Sequence, residues 1–222
     1  MKSKTSLRIK TLIECILPCG TVADVGCDHG YIPYYLLKNN ICKHAILVDI
    51  SKKSLLKAKN LFDQNGLSNF ADFRHGDGLS VFKSGEVDFC VIAGMGGIEI
   101  IKILQENDKG IKKFLLQPMK NSYELRHFLI KNGYKIQKDF IIFDKKNFYD
   151  IITIEHGKDS LNELEFVFGK TNILNKSNDF IKYLKLKKLQ TEKLLKSLKD
   201  KDRANELGHY LELIERAINQ GV

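Results

Sequence analysis

The stretch Asp24-Val25-Gly26-Cys27-Asp28-His29-Gly30 decides the fold of this 222-residue chain. It follows an apolar run at residues 21–25 and opens a helical pattern over residues 31–38, which predicts a strand, a tight turn and a helix. Gly26 and Gly30 let the backbone turn sharply and approach a ligand closely. In open α/β sheets a nucleotide cofactor binds beyond the carboxyl end of the first strand, so this turn is the predicted cofactor loop.

Outward from this loop, short β-rich runs alternate with longer amphipathic segments. The predicted strands cover residues 21–25, 45–49, 71–74, 87–93 and 114–117, and the predicted helices cover residues 31–38, 51–65, 98–105 and 122–132. An amphipathic helix precedes them, and its apolar stripe consists of Leu7, Ile9, Leu12, Ile13 and Ile16. Strands that alternate with helices predict a parallel sheet.

The alternation of predicted strands and helices ends after residue 133. Two strands at residues 134–143 and 148–155 are separated only by residues 144–147, a gap too short for a parallel crossover, so we expect an antiparallel hairpin. The predicted fold is α/β, with the mostly parallel Rossmann-like sheet of class I methyltransferases, which ends in such a hairpin. We assign the cofactor-binding catalytic domain to residues 1–158. Residues 159–222 form a small all-α, coiled-coil-like hairpin, with helices at 178–201 and 206–219.

Composition narrows the classes of function. The formal net charge of +9 favours a polyanionic partner. The sequence has five cysteines, an odd number, and no two of them form a C-x-x-C pair. This argues against a disulfide framework or a zinc site. Reduced thiols indicate the cytoplasm. No apolar run approaches the length of a membrane-spanning helix. We therefore expect neither a membrane nor a metal partner, and we favour a monomer although the sequence leaves the oligomeric state open.

Carboxylates follow three successive predicted strands. Asp28 lies after the first, Asp49 ends the second, and Asp77 follows the third between two glycines. Each could be an ordinary turn or strand-end residue, but together they suit a nucleoside, with Asp49 accepting hydrogen bonds from the ribose hydroxyls and Asp77 from the adenine amine. Asp28 and Tyr31 stand where the dinucleotide-binding fingerprint requires glycines. S-adenosylmethionine, which carries a sulfonium cation and no phosphate, fits these acids better than a diphosphate does.

The loop after the fourth predicted strand is Ala93-Gly94-Met95-Gly96-Gly97. Many amino-group methyltransferases carry an Asn/Asp-Pro-Pro-aromatic stretch there that holds the target nitrogen, whereas this loop offers exposed backbone instead. It is either part of an active site or a tight turn between a strand and a helix. His29 leaves a similar choice, because it could shuttle a proton or bind a base, or only stabilise the cofactor loop.

These segments resemble a known family. Residues 23–33 (ADVGCDHGYIP), 76–79 (GDGL), 93–97 (AGMGG), 116–118 (LQP), 125–126 (LR) and 149–152 (YDII) are similar to segments of the TrmK family, the bacterial tRNA (adenine-N1)-methyltransferases that modify position 22 of tRNA. The resemblance runs in order over residues 5–157, and the family also carries a C-terminal helical hairpin. Family members often have a lysine where this chain has Asn147, beside Lys145 and Lys146, so no role is carried over for that lysine.

The resemblance implies transfer of a methyl group from S-adenosylmethionine to N1 of an adenine in tRNA. Together with the motifs above it defines the candidate site. The catalytic candidates are Asp28, His29, Gly94 and Met95. The cofactor-binding candidates are Asp24, Gly26, Cys27, Asp28, Gly30, Tyr31, Asp49, Ile50, Asp77, Gly78, Ala93, Gly94, Met95 and Gly96. The substrate-binding candidates are Arg8, Gly96, Gly97, Lys120 and Arg126.

The sequence also leaves other functions open. A small-molecule methyltransferase on the same fold predicts an enclosed apolar acceptor pocket and no salt-sensitive binding of tRNA. A non-catalytic RNA-binding protein would bind RNA without methyl transfer, although Asp49 and Asp77 argue against it. An NAD(P) oxidoreductase is the weakest alternative because the dinucleotide fingerprint is missing.

Overall fold

A seven-stranded sheet organises the computed structural model, which describes residues 6–107 and 109–219. Its strands lie in the order β3-β2-β1-β4-β5-β7-β6. The first five pair in parallel, and β7 runs antiparallel to both of its neighbours. The bounds are β1 Cys19–Val25, β2 Cys42–Asp49, β3 Ala71–His75, β4 Phe89–Met95, β5 Lys113–Pro118, β6 Tyr134–Asp144 and β7 Asn147–His156. The predicted fold class is confirmed.

Helices cover both faces of the sheet because each contributes one apolar stripe. On one face lie α1 (Leu7–Glu14), α2 (Tyr31–Lys38) and α3 (Lys52–Gln64), and on the other lie α4 (Gly97–Gln105) and α5 (Ser122–Lys131). Each layer contributes its own buried cluster: the first includes Leu12, Leu36 and Phe62, and the second includes Ile100, Leu104, Leu125 and Leu129. None of the helices within the described ranges is long and apolar enough to cross a lipid bilayer.

The fourth strand differs from its predicted bounds of residues 87–93. It begins at Phe89, and the preceding Asp88 donates its backbone N–H to the Thr21 carbonyl of β1 at 3.0 Å. It continues to Met95 through an irregularity in its pairing with β5 between Ala93 and Met95. Gly94 lies in this irregularity with φ at 82°, a conformation that favours glycine.

The described C-terminal residues, 157–219, contain four helices where the sequence predicts two. They are α6 (Glu163–Phe168), α7 (Lys170–Asn175), α8 (Asn178–Ser197) and α9 (Lys201–Asn219). The predicted helix 178–201 therefore ends early, and Lys201 begins the next helix. Helices α8 and α9 pair as the expected hairpin and bury Phe180, Leu184, Leu213 and Ile214 against Ile141 of β6. The division at residues 158 and 159 stays a prediction, and residues 1–5 and 220–222 at its outer ends lie outside the described residues.

Candidate active site

The cofactor loop is anchored to the second strand by backbone hydrogen bonds. The N–H groups of Gly26 and Cys27 donate to the Val48 carbonyl at 2.9 and 3.1 Å. Gly26 has φ at 72°, a backbone conformation that favours glycine, and a Cβ added there would meet the flexible end of the Met95 side chain. Asp28 has φ at 43°, a conformation that aspartate tolerates better than most residues.

Asp49 connects the cofactor loop to the end of β2. Its Oδ2 accepts from the Asp28 N–H at 3.1 Å, and its Oδ1 accepts from the Ser51 N–H at 2.8 Å. A carboxylate has about four lone-pair sites, so further acceptor capacity remains on Asp49 for the hydroxyls of a ribose. Asp49 thus stabilises two turns, the structural role that the sequence left open for it, and keeps acceptor capacity for a ligand.

Two cavities open at the carboxyl edge of the sheet and meet at Gly26, Ala93 and Gly94. The first has about 530 Å³, and its lining includes Asp49, Ile50, Asp77, Gly78, Met95 and Ile103; we call it the nucleoside cavity after the ligand that the sequence predicts for Asp49 and Asp77. The second has about 490 Å³, and its lining includes Arg8, Asp24, Cys27, Asp28, His29, Tyr31 and Tyr35; we call it the acceptor cavity because it holds the predicted catalytic residues Asp28 and His29. The structure therefore brings most of the predicted site residues together around two adjoining spaces.

Asp24 is the buried acid of the acceptor cavity. Its side chain is 4% exposed, and burial together with the nearby charge of Asp49 raises its pKa to about 7. A cationic ligand would favour the ionised carboxylate and lower this pKa. Burial also raises the pKa of the neighbouring Cys27 thiol, so Cys27 contributes a neutral thiol to the lining. The buried carboxyl group of Asp24 can therefore stabilise a positively charged ligand in the acceptor cavity.

Asp28 and His29 lie at the rim of the acceptor cavity. The Asp28 carboxylate lies 3.7 Å from His29 Nε2 and 3.7 Å from the Lys57 ammonium group. The His29 ring stacks on Tyr31 with centroids 5.4 Å apart. Both groups of the Asp28–His29 pair remain accessible, with side chains 63% and 43% exposed. A ligand in the cavity can therefore reach either of them.

Arg8 extends from α1 across the acceptor cavity to Gly94. A Cβ added to Gly94 would lie 3.7 Å from Arg8 Nη1. The guanidinium donates to the Gln117 side chain at 2.6 Å and lies over the Tyr149 ring, 5.4 Å from its centroid. Gln117 and Tyr149 were not among the predicted site residues. A polar residue at the end of the otherwise apolar run 114–116 was the signal that could have indicated Gln117.

Four other predicted positions lie beside the cavities. Gly30 is the N-cap of α2 and is buried. Gly96 precedes α4, where its N–H donates to Glu99 Oε2 at 2.8 Å. The Gly97 N–H donates to the Lys120 carbonyl at 2.8 Å, and the Lys120 side chain is exposed next to Gly96. Gly30 thus lies at the start of α2, and Gly96, Gly97 and Lys120 lie at the start of α4, and none of the four lines either cavity.

The structure contradicts the predicted substrate-binding role of Arg126. We expected it to bind substrate, but its side chain is 1% exposed and all five of its N–H donors are engaged. It donates twice to Asp139, once to Asp150, and once to each of the carbonyls of Phe166 and Val167, at 2.7–3.2 Å. A guanidinium has five donors and no acceptor, so none remains for a substrate. Arg126 holds the hairpin strands to α6.

Residues 6–107 and 109–219 contain no group of three or more His, Cys, Asp or Glu side chains that could hold a metal ion. The polar groups of the site are instead carboxylates, a guanidinium and exposed backbone. These groups suit an organic cation and a nucleobase.

Comparisons with known proteins agree with this geometry. The sequence model of a family described as a methyltransferase domain matches residues 5–152. The Bacillus subtilis tRNA (adenine(22)-N(1))-methyltransferase is 36% identical over 157 residues, which are 69% of this chain and 66% of that enzyme. The crystal structure of the B. subtilis m1A22 tRNA methyltransferase TrmK superposes with a TM-score of 0.88 at 29% identity, covering 97% and 99% of the two chains. TrmK of M. capricolum in complex with S-adenosylhomocysteine gives 0.89 at 28% identity, covering 97% and 98%.

Proposed function

The chain belongs to the TrmK family of bacterial tRNA (adenine(22)-N1)-methyltransferases, and from this premise we propose that it methylates N1 of the adenine at position 22 of tRNA. S-adenosylmethionine, bound in the nucleoside cavity, supplies the methyl group. The observation that carries the proposal is that this cavity meets the acceptor cavity at Gly94. The target adenine occupies the acceptor cavity.

The chemistry of the nucleoside cavity suits a nucleoside that carries positive charge and no phosphate. Asp49 supplies acceptors for ribose hydroxyls and Asp77 for the adenine amine, while Asp24 in the adjoining cavity supplies a buried carboxylate. The charged residues in the described lining of the nucleoside cavity are four carboxylates and one lysine, namely Asp49, Asp77, Glu99, Glu106 and Lys102. Like charges would repel a diphosphate there.

Methyl transfer to adenine N1 depends mainly on the correct position of the adenine relative to the methyl group. The N1 lone pair is free at neutral pH, so no strong base is needed, and the protein has to hold N1 at about 3 Å from the methyl carbon and in line with it. A base in a folded RNA must be unstacked or exposed to reach the site. A backbone carbonyl near Gly94 accepts a hydrogen bond from the N6 amine. The carboxylates of Asp24 and Asp28 stabilise the positive charge of the 1-methyladenine product.

The overall charge suits tRNA as the partner. The formal net charge of +9 favours contacts with the tRNA phosphates, so the binding of tRNA should weaken as the salt concentration rises. We further propose that the protein acts as a monomer in the cytoplasm, where its five free cysteines stay reduced. A light-scattering mass of two chains in solution would contradict the monomer.

Incubation of the purified protein with S-adenosylmethionine and a tRNA transcript that carries adenine at position 22 is expected to yield 1-methyladenosine. The same transcript with guanine at position 22 should yield none, because its N1 carries a proton and has no free lone pair. Nucleoside digestion followed by mass spectrometry measures both results. Methylation of the two transcripts to the same extent would contradict the assignment of position 22.

Two further outcomes of this assay distinguish the alternatives. A protein that binds tRNA in a salt-sensitive manner but forms no methylated nucleoside is an RNA-binding protein without catalytic function. A protein that binds S-adenosylhomocysteine but neither binds nor methylates tRNA is a methyltransferase with a smaller substrate. Either outcome rejects the proposed function.

The roles of Asp28 and His29 are tested in the same assay. We expect Asp28→Ala to lower turnover roughly tenfold or more, the effect of losing one hydrogen bond to a charged group. His29→Ala should lower turnover less, because His29 acts beside Asp28. His44→Ala is a matched control, since His44 forms a comparable exposed pair with Asp72 at 3.6 Å, away from both cavities. Turnover close to wild type in both Asp28→Ala and His29→Ala would reject their roles.

A further inference from the structure

Gln117 is a buried amide at the end of an apolar strand. Its side chain is 0% exposed, as are those of Phe114, Leu115 and Leu116 before it. A buried amide destabilises a protein unless its polar atoms are hydrogen-bonded. Oε1 of Gln117 accepts from Arg8 Nη1 at 2.6 Å, and Nε2 donates to the Pro118 carbonyl at 3.0 Å. Because arginine can only donate and a carbonyl can only accept, these partners fix the amide in one orientation.

Gln117 is one of three residues that restrain Arg8. Its guanidinium meets the Gln117 oxygen and the Tyr149 ring, and its backbone N–H donates to Asp144 Oδ2 at 3.0 Å. An unrestrained arginine loses side-chain entropy when it binds a ligand. Restraint before binding removes much of that loss. The restrained guanidinium lies in the acceptor cavity next to Gly94.

We propose that Gln117 is a positioning residue for the methyl transfer: it holds the Arg8 guanidinium against Gly94, where Arg8 donates hydrogen bonds to the acceptor nucleotide. Gln117 itself does not line the acceptor cavity and acts through Arg8. This inference rests on the proposed function, because it assigns the acceptor cavity to the target nucleotide. It explains why a polar side chain stands among the buried residues of β5, which are otherwise apolar.

Two substitutions separate the positioning role from simple packing. Gln117→Met and Gln117→Glu have similar size, and neither has the amide N–H that donates to Pro118, but only glutamate keeps an oxygen acceptor for Arg8. We expect Gln117→Met to lower kcat/KM for tRNA about tenfold, as for the loss of a hydrogen bond to a charged group. Gln117→Glu should stay within about threefold of wild type. Calorimetry should give both variants the wild-type Kd for S-adenosylhomocysteine within about twofold, since the nucleoside cavity is untouched.

A double substitution tests whether Gln117 acts through Arg8. Arg8→Ala combined with Gln117→Met should be no slower than Arg8→Ala alone, within about twofold, because coupled residues are not additive. Multiplied losses in the double variant, or equal losses in Gln117→Met and Gln117→Glu, would overturn the proposal. If Gln117→Met does not fold, Gln117→Asn replaces it, since its amide is one methylene too short to reach Arg8.

The outcome for the wild-type protein keeps the two proposals apart. A wild-type protein that forms no 1-methyladenosine in tRNA overturns the proposed function and this inference with it. A wild-type protein that methylates tRNA, together with an unaffected Gln117→Met variant, overturns only the role of Gln117.

Discussion

Replacement of Asp49 by alanine is expected to weaken the binding of S-adenosylmethionine and S-adenosylhomocysteine about a hundredfold or more. The carboxylate would accept two ribose hydroxyls, and each hydrogen bond to a charged group contributes roughly 1.5–3 kcal/mol. The same substitution removes the acceptor for the Asp28 and Ser51 N–H groups, which loosens the cofactor loop as well. Isothermal titration calorimetry with S-adenosylhomocysteine measures the change in Kd.

Two other aspartates serve as references for this experiment. Asp72→Ala on the neighbouring strand should leave the Kd unchanged, because Asp72 pairs with Arg74 at 2.8 Å and lines neither cavity. Asp77→Ala should weaken binding less than Asp49→Ala, about tenfold, because Asp77 is exposed and offers one acceptor to the adenine amine. If Asp49→Ala binds S-adenosylhomocysteine as wild type does, the nucleoside does not lie between Asp49 and Asp77.

The strands of the sheet, their mostly parallel pairing and the edge that carries the candidate site could be predicted because they depend on local patterns. The apolar runs that become β1, β2 and β4 are buried at most positions, and such strands are recognisable from composition alone. The carboxyl ends of parallel strands lie at one edge, so residues that follow successive strands must meet there. For this reason Asp28, Asp49 and Asp77 could be grouped without knowledge of any distance.

The contacts of individual side chains could not be predicted, because their partners are far away in sequence. The partners of Arg126 lie 13 to 41 residues away, and Gln117 is 109 residues from Arg8. A charged or polar residue near a strand end gives no local indication of whether it faces a cavity or a buried carboxylate. Helices α6 and α7 were missed for a different reason, since six residues are too few to show a helical period.

The largest effect on stability is expected from Arg126→Met. Burial lowers the pKa of Arg126, but Asp139 and Asp150 raise it by more, so the guanidinium stays charged and compensates Asp139, which is 0% exposed. Methionine keeps much of the volume and leaves a buried carboxylate without its partner, which typically destabilises a protein by about 3–5 kcal/mol. Urea denaturation followed by circular dichroism measures the free energy of unfolding. Arg74→Met is the matched control, because Arg74 also pairs with two acids but is 25% exposed, and such pairs contribute about 1 kcal/mol or less.

The Arg126 experiment also decides between the structural role and the substrate role predicted from sequence. In the structural role, Arg126→Met/Asp139→Leu should regain part of the lost stability, because the double substitution removes the uncompensated buried charge. The substrate role predicts a stable Arg126→Met protein that binds S-adenosylhomocysteine normally and fails to methylate tRNA. That second result cannot come from a guanidinium whose five donors are all engaged within the protein, so it would require the junction between α5, the β6–β7 hairpin and α6 to open during catalysis.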